Sequence, residues 1–361
     1  MNPSRSRRPF LPALTAGALA VLLTGAALPA SATTADTAAG PAGTTTAEAD
    51  TAAAAPTVDR IAGADRFAVA VNVSKEGYPG GNGVAYLVTG LDYPDALGAA
   101  PAAVHTNGPL LLTTRDSIPP VVLAELNRLK PNLVIIVGGP NSVSAAVQTE
   151  LAGVVSAPVV TRVQGTDRYD TSRELVDYAF GSSGGPIAYV ATGRNFPDAL
   201  SAGAAAGSAD APVVLVDGTQ TALDPATSGT LTARDFATVK VAGGPSAVSP
   251  GIVTDLDYLI DSVVRLNGAD RYQTSIAINR DGFSTASRVF LATGSTFPDA
   301  LAGAALAGTL DAPLFVVPST CVPSEVLAEI GQLKASRVTL LGGPAALAPS
   351  VQALQPCSGP E

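Results

Sequence analysis

Two arginines recur at a fixed spacing three times along the chain: Arg60 and Arg66 in RIAGADRF, Arg162 and Arg168 in RVQGTDRY, Arg265 and Arg271 in RLNGADRY. A guanidinium is a planar fork of donors that matches phosphate or carboxylate oxygens. Asp65, Asp167 and Asp270 stand just before the second arginine, and a short carboxylate there suits the cap of a following helix. The second arginine then falls in the first helical turn, where a cation is unfavourable unless it faces an anion. Two anions would serve: a ligand's phosphate or carboxylate, or a carboxylate of a neighbouring repeat. The inter-repeat ion pair is the preferred reading, and ligand contact is the other.

Glycine turns offer a second set of donors. TGLDYPDALGAA from Thr89 returns as TGRNFPDALSAG from Thr192 and as TGSTFPDALAGA from Thr293. GGPNSVS from Gly138 returns as GGPSAVS from Gly243 and GGPAALA from Gly342. Both phrases lie where an apolar run gives way to a helical pattern. Pro94, Pro197 and Pro298 suit a first helical turn, and Asp95, Asp198 and Asp299 favour its positive dipole end. Ligands of open parallel sheets bind at the carboxyl ends of strands, and free amides at a helix start accept anionic oxygens. Thr89, Gly90, Gly138 and Gly139 are therefore candidate ligand positions. So are Thr192, Gly193, Gly243 and Gly244, and Thr293, Gly294, Gly342 and Gly343. The TTRDS loop, Thr113 to Ser117, ends a strand in the same way. A purely structural role for these turns, their amides capped by serine or water, stays open.

Other chemistry finds little support. His105 is the single histidine, and Ser208 and Thr309 hold its place in the other repeats. Triads built on histidine therefore lack a repeated base, and no His/Cys set has the spacing of a metal site. No P-loop and no GxGxxG follows a strand. No cofactor and no metal are expected. A glycosidase-like carboxylate pair stays open, although the repeated aspartates read as helix-entry groups.

Residues 1–32 have a basic start, an apolar middle and a small-residue exit at Ala30-Ser31-Ala32, the pattern of an export signal. SRRPFL within it resembles a twin-arginine motif, with ordinary secretion as the alternative. Of 21 basic residues the leader holds three, leaving 18 against 30 acidic residues, a net charge of −12. Nucleic acid is excluded as a partner for want of a basic footprint, and no run after the leader is long and apolar enough for membrane insertion. Residues 33–56, Ala, Thr, Gly and Pro with a few acids, read as a disordered linker. Cys321 and Cys357 are the only cysteines. In an exported chain a disulfide between them is the default, with two buried thiols as the alternative.

These residues need elements to hold them. Gly63, Gly165 and Gly268 mark a period of 102 and then 103 residues, which is domain-sized and too long for a solenoid unit. The repeats divide as 57–157, 158–260 and 261–357. Within the first, GVAYLVTG, PLLLTT and NLVIIVGG are apolar throughout, and helical patterns separate them. Val122, Leu126 and Leu129 share one helical face. Strands apolar on both faces and alternating with helices predict an α/β fold, a parallel sheet covered on both sides, with one such sandwich per repeat. In the second repeat the run from Asp217 to Asp235 weakens the helical face and marks its site as altered.

The four ordered motifs, RxxGxDR[FY], TGxx[YF]PDAL, the Pro-Leu-Leu-Leu type strand and GGPxxVS, in three copies behind an export signal, resemble the cell wall binding repeat 2 family. The match covers nearly all of the chain after the leader. The resemblance implies three tandem Rossmann-like or Toprim-like modules packed as a pseudo-threefold ring. It further implies a secreted protein of Gram-positive bacteria, held non-covalently on the wall by an anionic cell-wall polymer of teichoic or secondary-polysaccharide type. Members often carry a joined catalytic domain, and this reading leaves no stretch for one, so a non-enzymatic role is expected. Two alternatives remain: a modifier subunit of a wall hydrolase, and an exported small-molecule or glycan receptor.

Overall fold

The computed structural model describes residues 55–181 and 185–358. The expected export signal and nearly all of the expected linker lie outside the described residues.

The first repeat runs β1 (Thr57–Ile61), α1 (Arg66–Gly77), β2 (Val84–Thr89), α2 (Ala99–His105), β3 (Leu110–Thr113), α3 (Pro120–Leu129), β4 (Leu133–Val137) and α4 (Ala145–Glu150). The second runs β5 (Val159–Val163), α5 (Arg168–Phe180), β6 (Ile187–Thr192), α6 (Pro197–Ser208), β7 (Val213–Val216), α7 (Pro225–Ala233), β8 (Thr238–Ala242) and α8 (Pro250–Leu259). The third runs β9 (Ser262–Leu266), α9 (Arg271–Gly282), β10 (Arg288–Thr293), α10 (Pro298–Thr309), β11 (Leu314–Val317), α11 (Ser324–Gln332), β12 (Arg337–Leu341) and α12 (Pro349–Gln352).

Three four-stranded sheets result, in the orders β3-β2-β4-β5, β7-β6-β8-β9 and β11-β10-β12-β1, and every pairing is parallel. No sheet comes from a single repeat. The strand that opens each repeat completes the sheet of the repeat before it. The first closes the cycle, with Thr57 against Arg337 and Ile61 against Leu341. The expectation of a self-contained sandwich per repeat is corrected here. The reason lies in the crossover: α4 carries the chain from β4 back to the adjacent parallel position, which β5 takes. The opening strands are also only partly buried along their length, as edge strands are, whereas the central strands are buried almost throughout.

The Ala- and Gly-rich helices α2, α6 and α10 pack against one another at the centre. A Cβ on Gly207 would stand 2.9 Å from the Val104 Cγ2 and 3.5 Å from the Gly308 Cα, so only glycine permits that approach. The resulting apolar core runs continuously through all three repeats, while the outer faces of the first two sheets have separate cores of their own. At the entry ends of these helices the aromatic residue of the repeated phrase closes the axis. Tyr93, Phe196 and Phe297 form a triangle with ring centroids 5.5, 5.6 and 6.1 Å apart. This is the pseudo-threefold ring, built by the phrase itself.

Cys321 and Cys357 are bonded, tying the segment after α12 to the loop before α11 across 36 residues. A parallel bridge between Val322 and Pro356 accompanies the bond. Closing a loop of that length restricts the unfolded chain, so replacing both cysteines by serine is expected to cost about 2–4 kcal/mol. A denaturant midpoint unchanged between the two forms would contradict this. No described helix is long and apolar enough to cross a membrane.

Candidate functional site: pockets at the repeat junctions

The arginines divide into two structural roles. Arg60 donates to the carbonyls of Gly342 and Leu347 at 2.8 and 2.9 Å. Arg162 does so to Gly138 and Val143 at 2.7 and 2.8 Å, and Arg265 to Gly243 and Val248 at 2.7 and 2.9 Å. Each thus staples an edge strand to the glycine turn of the preceding repeat. Burial pulls all three guanidinium pKa values below their ordinary range. Arg66, Arg168 and Arg271 donate to the carbonyls of Gly90, Gly193 and Gly294 at 2.6, 2.8 and 2.6 Å.

The preferred inter-repeat ion pair is therefore corrected. Among the described residues none of the six arginines lies within ion-pair distance of a carboxylate. A carbonyl at the end of a strand answers the first-turn cation instead, since its partial negative charge is close and fixed. The field of Arg66 and Arg271 still reaches across the junction to Asp299 and Asp198.

The repeated turns are tightly built. Thr89, Thr192 and Thr293 are buried, and each hydroxyl accepts from the amide two residues on, at 3.2 Å. Asp65, Asp167 and Asp270 accept amides of the first turns of α1, α5 and α9, as capping requires. A Cβ on Gly90, Gly193 or Gly294 would come within 3.0, 2.8 or 2.9 Å of the ring of Phe67, Tyr169 or Tyr272, the aromatic that follows the second arginine. The two motifs are thus coupled by a close approach. Gly138, Gly243 and Gly342 have φ of 102°, 113° and 100°, a region L side chains rarely occupy.

Among the described residues a cavity opens at the second-to-third junction and another where the third repeat meets the first. At the second-to-third junction, Pro197 and Asp198 open α6, Gly244 and Ser246 follow β8, and Gly268, Asp270 and Arg271 come from the next repeat. The space is about 190 Å³. Where the third repeat meets the first, Pro298, Asp299, Gly343, Gly63, Asp65 and Arg66 enclose about 230 Å³. No side chain caps α6 or α10, so first-turn amides remain available there. The structure thus brings together Gly244 with Arg271 and Gly343 with Arg66. It leaves Arg60, Arg162 and Arg265 beneath the turns as staples.

The phrase aspartates are more than helix-entry groups. Asp198 is only 8% exposed, and burial pushes its carboxyl up to about 6 against the opposing field of Arg271. Burial raises Asp299 as well, opposed by Arg66. Asp95 differs, because Ser142 donates to it at 2.5 Å; Ala247 and Ala346 hold the place of that serine in the other repeats. Sequence reasoning missed this, although the change from GGPNS to GGPSA and GGPAA was its visible trace.

His105 bridges repeats through Asp210, Nδ1 to Oδ1 at 2.6 Å, and Ser208 at the same place donates to Asp311 at 2.7 Å. That repeated contact gives the histidine a packing role. In the second repeat α7 forms with an Asp224 cap and buries Leu231 and Thr227. The inner face of that helix is kept despite its weak pattern. Among the described residues no cluster of His, Cys, Asp or Glu could hold a metal ion.

The family model described as cell wall binding domain 2 matches residues 60–148, 162–253 and 265–352. The N-acetylmuramoyl-L-alanine amidase LytC of Bacillus subtilis is 27% identical over 301 residues, which are 83% of this chain and 58% of the amidase. An amidase enhancer of the same organism is 28% identical over 267 residues, 74% of this chain and 35% of that protein. The chain thus spans less than two thirds of either relative's length. Among solved structures, Cwp6 from Clostridium difficile superposes with a TM-score of 0.75 at 27% identity, covering 84% of this chain and 49% of its own. Cwp8 from the same organism gives 0.74 at 27% identity, covering 82% and 51%.

Proposed function

The chain belongs to the cell wall binding domain 2 family and is secreted and cell-wall-associated, and from that premise we propose that it is a non-enzymatic attachment protein that grips an anionic wall polymer at its repeat junctions. The observation that carries this reading is the recurring pocket: an uncapped helix start, a glycine turn and an arginine loop from the next repeat. Such a pocket offers amide donors and positive potential to a phosphate or carboxylate despite the acidic chain around it. One weak site is of little use on a repetitive polymer. Sites linked at matching spacing raise avidity by about 10²–10⁴.

The shared core makes isolated repeats a poor test, so the intact chain is the right one. A Cβ on Gly343 would meet nothing within 4 Å, and one on Gly244 or Gly139 only ordinary contacts. Glutamate at all three positions is therefore tolerated by the fold and places a negative charge at each junction. The triple variant G139E/G244E/G343E is expected to bind native walls about 10²-fold or more weakly while melting like the parent. Binding of the parent should also fall on walls stripped of anionic polymer. Full binding by the variant, or release of soluble wall fragments by the chain alone, would overturn the proposal.

The likeness to an amidase and to an amidase enhancer favours a second reading, modulation of a wall hydrolase. It predicts that adding the chain changes the rate of wall lysis by such an enzyme even when both are free in solution.

A further inference from the structure

Resting on the proposed polymer attachment, we infer that the three junctions are chemically unequal, and that Asp198 makes the second-to-third pocket selective for an anionic unit that also bears hydroxyl groups. Asp198 lies 92% out of solvent and lines that pocket. Among the described residues no protein group donates a hydrogen bond to it. Its counterpart Asp95 is satisfied by Ser142 at 2.5 Å; Ala247 removes that donor. A Cβ on Gly243 would stand 2.7 Å from the Asp198 Oδ2, so the carboxylate is pressed against the turn.

An acceptor held at the pocket wall without a protein donor is left to solvent or to a ligand. A ligand hydroxyl supplies the missing donor. The charged groups around the pocket fix the orientation of such a ligand. Arg271 and the uncapped start of α6 attract its anionic group, while Asp270 has one carboxylate oxygen occupied by the amides of Tyr272 and Gln273. With the carboxyl near 6, Asp198 is mostly ionised at neutral pH. It repels a bare anion and accepts from a polyol or sugar phosphate whose hydroxyl reaches it. A site built to bond a hydroxyl discriminates strongly against the analogue lacking it.

The test compares glycerol 3-phosphate with propyl phosphate, of the same chain length without hydroxyls. Both are titrated into the signal-free chain while the amides of Gly139, Gly244 and Arg271 are followed by NMR. At Gly244 and Arg271 the polyol phosphate is expected to bind at least about tenfold more tightly, with little preference at Gly139. Asp198→Ala removes the acceptor, and Ala247→Ser gives it the donor that the first repeat has. Both variants should bring the two ligands to within about twofold of each other. Equal affinities in the parent, or a preference that survives both substitutions, would overturn the selectivity and leave polymer attachment standing. If neither phosphate perturbs Gly244 or Arg271, the pocket itself is misassigned and both readings fall.

Discussion

A signal-free chain that starts at Ala62, and so lacks β1, is expected to lose the cooperative fold of its third sheet. Beyond the expected linker the truncation removes only the five residues of β1, but they sit at the point where the ring closes. β12 would become an edge strand along its whole length. Ile61 would leave the core, a loss of about 1.5–3 kcal/mol. The staple from Arg60 to Gly342 and Leu347 would go with it, and hydrogen bonds from a charged donor contribute about 1.5–3 kcal/mol each. Asp59 is the third loss. Burial acts to raise its carboxyl, yet bonds from Thr339 and Arg337 outweigh burial and hold it below its ordinary value. Without it the fully buried Thr339 loses its acceptor and Arg337 its nearer carboxylate, while Arg288 keeps Glu76 and its bond to Thr339. The total exceeds about 5 kcal/mol, comparable to the whole stability of many domains. Hydrogen exchange should show β12 and α12 exposed, and calorimetry a lower or split transition. A single transition at the parent temperature would show that β1 is dispensable.

That prediction depends on a feature the repeats conceal. Sequence periodicity locates motifs, not sheet membership. Strand, helix and turn types were legible because fully apolar runs such as LVIIV alternate with helical faces such as Val122, Leu126 and Leu129. The opening strands carry a different signal. VVR and TRV beside polar residues describe a half-covered edge, and an edge strand has no preference in sequence for the sheet before it or after it. The α4 crossover decides the matter, and its handedness is a property of the chain in space. The central helices were legible in composition alone: their Ala and Gly content announced close packing, but not that three of them meet on one axis.

The site was legible to a similar depth. The arginines and glycine turns stood out by repetition, yet repetition cannot separate a staple from a ligand contact. Arg60, Arg162 and Arg265 recur because three turns need holding. The informative positions were those where the repeats disagree. Ser142 against Ala247 and Ala346 changes whether a buried carboxylate is satisfied. Only the structure shows that the serine and the aspartate, 47 residues apart, touch.

Asp198→Asn should accordingly raise stability at neutral pH while it damages the pocket. Burial places the native carboxyl at about 6 against an ordinary 3.8. The folded chain therefore binds more protons than the unfolded chain between those values, and stability falls as pH rises through that window. Above pH 6 the full penalty is present, about 3 kcal/mol from the difference between the two values. Below about 4 the native side chain is protonated and the penalty is gone. Asparagine keeps the shape and cannot ionise, but burying its amide N–H without water returns about 1 kcal/mol. The net expectation is a gain of about 2 kcal/mol at pH 7.5 that turns into a loss of up to about 1 kcal/mol below pH 4. Urea titrations of parent and variant at both pH values read this directly. A gain of equal size at both would assign the effect to packing, and a loss at pH 7.5 would mean that the ionised carboxylate has donors of its own. The expected sign also separates function from folding: a variant more stable than its parent, yet poorer at recognising a hydroxylated phosphate, loses recognition for a reason other than misfolding.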